Sequence, residues 1–320
     1  MDVGVGLWTM RSTALRPAAF PALYSELQAD ARLAEQLGFH SLWIAEHHFW
    51  YDGWCPAPLI AAASVLGATK RLCAGTGIHL LALTEPEHET AVIETLSALA
   101  GDRLEIGVGL GYRDPEFDGF ALARRARGRR VDAALDALTD RRSDGADCGP
   151  RVWVGGFSEA AFRRAGSRGL PLLLPYSMTT DEIAAAMDSV KREADAADCA
   201  VGPVGVMKCA WVTDGSNEQA TSARAATLAS IREYTGTWFS LKGQPGFTVP
   251  DRLERQLQRV VDTALIGTVE EISAGLGELQ ELGVELTVLQ LTSDGARVDH
   301  RANMERLSEA MLPVVERAPA

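Results

Sequence analysis

Short apolar runs alternate along the chain with longer segments whose apolar residues recur every three or four positions. The runs have the character of buried strands, and the periodic segments that of amphipathic helices. A glycine often separates a helical segment from the next run, as Gly38 and Gly283 do. Eight alternating strands predict a closed α/β fold, a (β/α)8 TIM-like barrel. The predicted strands are Val3–Trp8, Ser41–Ala45, Leu72–Ile78, Leu104–Val108, Val152–Val154, Leu170–Leu174, Val204–Thr213 and Leu286–Leu291.

The connection between Trp211 and Leu286 departs from this alternation of strand and helix, because it is about two βα repeats long. It contains Thr235–Pro250, which is rich in glycine and proline and is longer than an ordinary loop of about 4–6 residues. We interpret this segment as an excursion, or lid, over the barrel mouth before the last strand. No linker-like composition divides the chain, so a single domain over residues 1–320 is expected.

The composition is that of a globular protein with a substantial core. The chain has 320 residues, of which 47% are hydrophobic, and this excludes a disordered or fibrous protein. Its 43 acidic and 31 basic residues give a net charge of −12, which repels nucleic-acid phosphates and anionic membrane surfaces. We therefore expect a small-molecule ligand, with no nucleic-acid partner and no membrane partner.

The compartment is indicated by the N-terminus and the cysteines. Met1–Trp8 contains an acid where a secretory signal needs a basic flank, and no apolar run approaches the roughly 20 residues of a membrane span. The five cysteines are scattered and odd in number, which is typical of reduced thiols. These observations predict a cytoplasmic protein.

The end of the second predicted strand carries the densest group of reactive side chains. The sequence EHHFWY at Glu46–Tyr51 combines one acid, two imidazoles and three aromatic rings. Active sites of βα barrels lie at strand carboxyl ends, an imidazole exchanges protons near neutral pH, and aromatic rings form a planar apolar slot. A pair of structural histidines at a strand end is the alternative interpretation. The density of the group favours function.

The third and fourth predicted strands end in glycine-rich sequences. The third contains Thr76-Gly77-Ile78, and the fourth contains Gly107 and Gly109. Glycine lets the backbone approach a flat ligand closely, although relief of crowding inside a barrel explains such residues equally well. The spacing G-x-G-x-G, with no acidic residue at the next strand end, excludes a dinucleotide-binding fingerprint.

The fifth predicted strand runs into a helix through Gly155-Gly156-Phe157-Ser158. Free amides at a helix start, beside a capping hydroxyl, bind anions, so this segment predicts a site for the phosphate of a mononucleotide. A plain N-cap at Ser158 is the structural alternative. Arg127 is the candidate for reaching the phosphate from the arginine-rich segment at 124–130, although such a run is usually a solvated helix face.

Metal ligation is not indicated by any sequence spacing. The chain lacks the H-E-x-x-H pattern, and His79, His88 and His300 are isolated in sequence. No metal site is predicted, and a metal hydrolase stays only as an alternative.

Taken together, these motifs resemble those of the bacterial luciferase-like flavin monooxygenases. The resemblance is carried by Ser41–Leu72, with EHHF and the alanine-rich helix after it, and by the later sequences AGTGIHLL, EIGVGLGYRDPEF, VWVGGFS and LIGTVEEISAGLGELQELGVELTVLQL. It covers most of the chain in order, and EHHF is its most specific part. It implies a barrel whose strand ends bind reduced FMN, which reacts with molecular oxygen to give a flavin hydroperoxide that oxygenates an organic substrate.

By position, the resemblance makes His47 the catalytic residue, which assists proton handling at the flavin–oxygen adduct. It places Gly77-Ile78 where the family has a non-proline cis peptide under the isoalloxazine ring, and it places Gly155-Gly156 on the phosphate side. The cofactor-binding residues expected in total are Thr76, Gly77, Ile78, Gly107, Gly109, Arg127, Gly155, Gly156, Phe157 and Ser158.

The chain departs from the family pattern at Leu110, where luciferase-type members place an arginine that reaches the phosphate, and Thr139–Arg151 is shorter than the usual family segment. Related barrels use a deazaflavin coenzyme to move hydride without oxygen. Two alternatives therefore stay open: a deazaflavin-dependent hydride-transfer enzyme with His47 as acid and base, and a flavin-binding homologue without turnover.

The leading hypothesis is an FMN-dependent monooxygenase of the two-component type, which takes reduced flavin from a separate flavin reductase because no nicotinamide-binding module is recognised. A small or medium-sized apolar or aromatic substrate is expected to contact Trp8, His48, Trp50 and Tyr112 at the mouth. The apolar helix Pro56–Leu66 predicts a homodimer, as in the family, although burial within one chain explains its composition too.

Overall fold

A computed structural model describes residues 1–6, 18–49, 54–143, 150–240, 251–291 and 297–315. Within these ranges the strands are β1 (Asp2–Gly6), β2 (Ser41–Ile44), β3 (Cys73–His79), β4 (Leu104–Val108), β5 (Arg151–Gly155), β6 (Leu172–Leu174), β7 (Val204–Val212), β8 (Leu265–Gly267) and β9 (Leu286–Leu291). The helices are α1 (Phe20–Gln36), α2 (Pro58–Ala68), α3 (Pro86–Ala100), α4 (Asp114–Gly119), α5 (Arg127–Ser143), α6 (Glu159–Gly166), α7 (Thr180–Ala196), α8 (Asn217–Ser240), α9 (Asp251–Asp262), α10 (Val269–Leu282) and α11 (Arg297–Val315).

The strands close into a parallel barrel. Each of β1 to β6 pairs with the next strand in sequence, β6 pairs with β7, β7 with β9, and β9 with β1. The eight strands of this ring are the eight expected from the apolar runs, so the predicted (β/α)8 barrel is confirmed.

The excursion before the last strand contains α8, α9, β8 and α10. The prediction missed β8, because the three residues Leu265–Gly267 are too short to show a pattern; β8 pairs with Ala210–Val212 at the carboxyl end of β7. Residues 235–240 of the predicted lid form the end of α8, since Gly236 does not stop the helix, and residues 241–250 lie outside the described ranges.

Two tryptophans fill the barrel interior. The rings of Trp43 on β2 and Trp153 on β5 meet edge to face, with centroids 6.3 Å apart. Neighbouring strands carry glycine where these rings need room: a Cβ on Gly75 would lie 2.4 Å from Trp43, and one on Gly205 would lie 2.9 Å from Trp153. The interior between these strands is therefore a packed core rather than an open channel.

The helices pack their apolar faces on the outside of the strands. Helix α1 buries Leu23, Leu27, Ala31 and Ala34, which lie on one face at three- and four-residue spacing. Among the helices of the described ranges, none is long and apolar enough to cross a membrane.

Candidate active site

His47 lies just beyond the carboxyl end of β2 and is only 7% exposed. Its Nδ1 is 3.0 Å from Oε1 of Glu116, and its Nε2 is 3.1 Å from the hydroxyl oxygen of Tyr234. A carboxylate only accepts hydrogen bonds, so Nδ1 donates to Glu116. The lone pair of Nε2 then accepts the hydroxyl hydrogen of Tyr234, and this partner set selects the tautomer of His47.

Glu116 is held by the loop after β4. The sequence Arg113-Asp114-Pro115-Glu116 starts α4 with a proline in its first turn, a position that suits proline because its missing N–H needs no partner there. Oε1 of Glu116 accepts from Nη1 of Arg113 at 3.0 Å and from the backbone N–H of His48 at 3.1 Å. Arg113 also donates to the carbonyl oxygen of His48 at 2.9 Å, so the ion pair ties the β4 loop to the β2 loop.

The electrostatics of this group favour a neutral His47. Burial lowers the pKa of His47, and the nearby charge of Arg113 lowers it further, while the hydrogen bond and charge of Glu116 offset part of this. Burial raises the pKa of Glu116, but its hydrogen bond and charge interaction with His47, together with Arg113, outweigh burial and lower the pKa. At neutral pH, His47 is therefore a neutral base beside a carboxylate that stabilises its protonated form.

Aromatic rings surround His47. The ring centroids of Trp54, Tyr234 and Tyr112 lie 4.9 Å, 5.6 Å and 6.1 Å from that of His47. Tyr234 comes from α8, so the excursion covers this part of the mouth. Of the expected substrate contacts, Tyr112 is thus brought to His47, whereas Trp8 and Trp50 lie outside the described residues.

His48, the remaining expected substrate contact, belongs to a second cluster. Its Nε2 donates to Glu46, whose other oxygen accepts from Nδ1 of His79, and Nε2 of His79 lies 2.8 Å from Glu89. These four side chains line a cavity of about 440 Å³ to which His47 does not contribute. His48 is therefore separated from the aromatic wall around His47. The cavity is also lined by Pro58, Leu59, Ile60, Val92 and Phe120.

This second cluster is strongly charged. Burial raises the pKa of Glu46, but the charge of His79 and the hydrogen bonds from His48 and His79 outweigh it and lower the pKa to about 2. Burial lowers the pKa of His79, but the charges and hydrogen bonds of Glu46 and Glu89 outweigh it and raise the pKa to about 9. His79 is therefore an imidazolium held between two carboxylates at neutral pH.

The ends of β3, β4 and β5 meet around Ile78. The Gly77–Ile78 peptide bond is cis. A Cβ on Gly109 would lie 2.8 Å from Cγ2 of Ile78, and one on Gly155 would lie 2.7 Å from its Cδ1. The space that these glycines release is thus filled by Ile78, which builds an apolar shelf at the barrel mouth. Thr76 and Gly107, which are also expected to bind the cofactor, belong to the same two strands, and Oγ1 of Thr76 donates to the carbonyl oxygen of Gly107 at 2.8 Å.

The expected phosphate side contains an arginine-lined cleft. Leu110, Arg124, Arg125, Arg127 and Gly128 line it, and Nη1 of Arg127 donates to the carbonyl oxygen of Gly111 at 3.1 Å. The N-cap of α6 is Ser158, whose side chain accepts from the backbone N–H of Ala161, and Phe157 is 69% exposed. A Cβ on Gly128 would lie 3.1 Å from Nη2 of Arg164, which places the start of α5 against α6.

Sequence reasoning missed the residues that support His47. Glu116 and Arg113 belong to the sequence YRDPEF, in which an acid follows a helix-starting proline just after a strand end, and this signal was available. Tyr234 had no such signal, because it reaches His47 from a position 187 residues further along the chain.

The barrel, with His47 at a strand end, has the architecture of a βα barrel with a candidate site at its carboxyl end. Residues 1–286 match the family model described as luciferase-like monooxygenase. The chain belongs to the luciferase-like monooxygenase family.

Two curated relatives illustrate the sequence similarity. An uncharacterized protein of Sinorhizobium fredii is 41% identical over 93 residues, which are 29% of this chain and 26% of that protein. The alkanal monooxygenase alpha chain of the Kryptophanaron alfredi symbiont is 26% identical over 176 residues, which are 48% of this chain and 49% of that one. The matched segments thus span from about a quarter to about half of these relatives' lengths.

Solved structures share the fold over nearly the whole chain. A monooxygenase from Streptomyces bottropensis has a TM-score of 0.81 at 19% identity and covers 98% of this chain and 100% of its own. The oxygenating constituent of 3,6-diketocamphane monooxygenase from Pseudomonas putida, in complex with FMN, has a TM-score of 0.74 at 17% identity, with 98% of each chain covered. An F420-dependent secondary alcohol dehydrogenase has a TM-score of 0.70 at 16% identity and covers 98% and 99%.

Proposed function

We propose that the protein is a flavin-dependent monooxygenase that uses reduced FMN and molecular oxygen to oxygenate a small or medium-sized apolar or aromatic substrate. The observation that carries this proposal is the buried His47–Glu116 pair inside an aromatic wall beyond the end of β2, and the apolar shelf of Ile78 at the end of the neighbouring strand β3 supports it. Membership of the luciferase-like monooxygenase family supports the reaction class.

The residues at the mouth fit a flavin mononucleotide. Ile78 and the glycine backbone around it offer a flat apolar surface of the kind that suits a planar ring. Arg125 and Arg127 in the cleft would supply cations for the phosphate, and the capped start of α6 would supply backbone N–H groups. Bound there, reduced FMN would supply the electrons that activate oxygen.

The protein's own contribution is proton handling in a site shielded from water. A neutral His47 can accept a proton at Nε2 through the Tyr234 hydroxyl that is hydrogen-bonded there, and Glu116 stabilises the imidazolium that forms. The hydroxyl of Tyr234 is hydrogen-bonded to the same Nε2 and fixes the ring orientation. Trp54 and Tyr112 make the surroundings apolar, which suits an apolar or aromatic substrate.

The first test is oxygen consumption with chemically reduced FMN and a panel of aldehydes, ketones and aromatic compounds. We expect substrate-dependent oxygen uptake, and we expect His47→Ala to lower it at least 100-fold, since general acid–base catalysis contributes about 10²–10⁴-fold. His88→Ala is the matched control, because His88 is exposed and distant in sequence from the site. Equal activity of both variants would refute the role of His47.

A deazaflavin-dependent hydride-transfer enzyme is the second candidate. Leu110 lines the arginine cleft where luciferase-type members place an arginine, and the fold is shared with an F420-dependent dehydrogenase. Anaerobic reduction of a deazaflavin by secondary alcohols, without oxygen uptake in the presence of reduced FMN, would favour it. Flavin binding without either activity would indicate a non-catalytic homologue.

The proposed assembly includes a separate flavin reductase and a homodimer formed through α2. Ile60 on this helix is 74% exposed and lines the largely apolar cavity beside His48, which supports an interface at this surface. Sedimentation of the wild type and of Ile60→Glu tests the homodimer: we expect a dimer that becomes monomeric in the variant, and a monomeric wild type would refute it.

A further inference from the structure

A second group of reactive side chains lies at the amino end of the barrel, opposite to His47. His40 precedes β2, Cys73 is the first residue of β3 and Glu105 is the second residue of β4. One ligand-type atom from each of these residues lies within 4.8 Å of the other two. The three strands are neighbours in the sheet, so the barrel itself brings an imidazole, a thiol and a carboxylate together.

Two of the separations at this group match those of a tetrahedral metal site. With bonds of about 2.0–2.3 Å, the ligand atoms around zinc stand roughly 3.3–3.8 Å apart. Nε2 of His40 is 3.4 Å from Oε1 of Glu105 and 3.7 Å from Oδ2 of Asp2. Asp2 is therefore within reach of His40 as a fourth donor, and binding would draw Asp2 and the Cys73 thiol closer to the other ligands.

Neighbouring groups already orient the donors. The indole N–H of Trp153 donates to Oε2 of Glu105, which leaves Oε1 turned towards His40. The backbone N–H of Cys73 donates to the carbonyl oxygen of His40 at 3.0 Å, which fixes the two residues relative to each other. Such supporting hydrogen bonds are typical of metal sites, where they hold ligands in place before the ion arrives.

Burial and charge also suit a cation. Glu105 and Cys73 are buried, while the side chains of His40 and Asp2 are 29% and 47% exposed and open the group to solvent. The competing cation is Arg151, whose Nη1 is 3.7 Å from Oε1 of Glu105. Because its side chain is 49% exposed, the guanidinium can turn to solvent when an ion binds.

We propose that Asp2, His40, Cys73 and Glu105 form a structural zinc site at the amino end of the barrel. A thiolate and an imidazole select zinc over calcium or magnesium, which prefer oxygen ligands. Four protein ligands make a closed site, and the amino end of a βα barrel serves stability, so the ion ties β1 to β4 and takes no part in turnover. The proposal is independent of flavin binding and of the oxygenation reaction.

The test is a titration of the full-length, metal-free, reduced protein with Co²⁺, followed by displacement with Zn²⁺. We expect one equivalent of Co²⁺ to give a near-ultraviolet thiolate charge-transfer band that Zn²⁺ removes. Cys73→Ser should abolish the band, and Cys199→Ser, which alters a partly exposed thiol elsewhere, should retain it. His40→Ala should weaken Zn²⁺ binding more than tenfold, measured by competition with a chelator.

Thermal unfolding gives a second readout that does not need the thiolate band. Zn²⁺ should raise the melting temperature of the wild type clearly more than that of His40→Ala, because the variant binds the ion more weakly. Absence of the band in the wild type, its persistence in Cys73→Ser, or an equal effect of Zn²⁺ on His40→Ala would overturn the proposal. A protein that consumes oxygen with reduced FMN and yet binds no Co²⁺ would overturn this proposal alone.

Discussion

Glu116→Gln is the substitution that most directly probes the charge arrangement around His47. Glu116 is 1% exposed and pairs with Arg113, which is fully buried. Its Oε1 accepts hydrogen bonds from His47, His48 and Arg113. Glutamine keeps the volume and one accepting oxygen but removes the negative charge, so a buried guanidinium loses its counter-charge.

Removing one partner of a buried ion pair costs about 3–5 kcal/mol, and the retained oxygen puts this variant near the lower end, at about 3 kcal/mol. The assay is urea unfolding at pH 7, with tryptophan fluorescence as the signal. Glu182→Gln is the matched control, because Glu182 pairs with Arg259 at an exposed position and its loss should cost at most about 1 kcal/mol. An equal cost for the two variants would refute a tightly coupled buried pair.

Glu116→Gln should also change the pKa of His47. Glu116 is the group that holds the pKa of His47 up against burial and Arg113, so Glu116→Gln should lower that pKa further. Imidazole nitrogen shifts, followed by NMR over a pH series, report this value directly. A wild-type pKa at or above 6.5, or a rise in the variant, would contradict the electrostatics described for the site.

Three further predictions follow from the described contacts. Tyr234→Phe removes a donor to the neutral form of His47, so the pKa of His47 should rise, opposite in sign to Glu116→Gln, in the same NMR titration. His79 has a folded pKa of about 9 against an ordinary value of 6.5, so its protonation adds on the order of 3 kcal/mol to the free energy of unfolding below pH 6.5, and this stabilisation is lost as the pH rises through 9. In His79→Gln, the free energy of unfolding in urea should therefore change less between pH 6.5 and 9, and the same pH dependence as in the wild type would contradict the network. Gly107→Ala places a Cβ 2.2 Å from the carbonyl oxygen of Thr76 and should lower the free energy of unfolding by about 1–3 kcal/mol. Gly67→Ala has open space around it in α2 and should raise that free energy by up to about 1 kcal/mol. Equal effects of the two variants in urea unfolding would show that backbone proximity is not the cause.

The barrel was predictable from the sequence because its strands are covered on both faces and therefore appear as nearly continuous apolar runs. LTVLQL in β9 and LLL in β6 are fully buried, as that pattern requires. The end of α10 was predictable for a local reason, since Gly283 takes up the left-handed conformation (φ 98°) in which glycine is favoured. β8 escaped prediction because its short run carries no period.

The candidate site was predictable only where its chemistry is local in sequence. EHHF drew attention to His47 because acid, imidazole and aromatic residues crowd one strand end. The different surroundings of His47 and His48 could not be read from two adjacent letters, since they depend on Glu116 and Glu46 reaching them from other elements. The amino-end group of His40, Cys73 and Glu105 was not predicted from the sequence for the same reason. Its members are more than thirty residues apart in sequence and meet only through strand pairing.

We propose that this site transfers an atom of molecular oxygen to an organic substrate with electrons from reduced FMN. The most direct measurement is the mass of the product formed under ¹⁸O₂ from a substrate that stimulates oxygen uptake. We expect the product to carry the heavy isotope in the wild type, and we expect labelled product to be nearly lost in His47→Ala. Unlabelled product, formed equally well without oxygen, would contradict it.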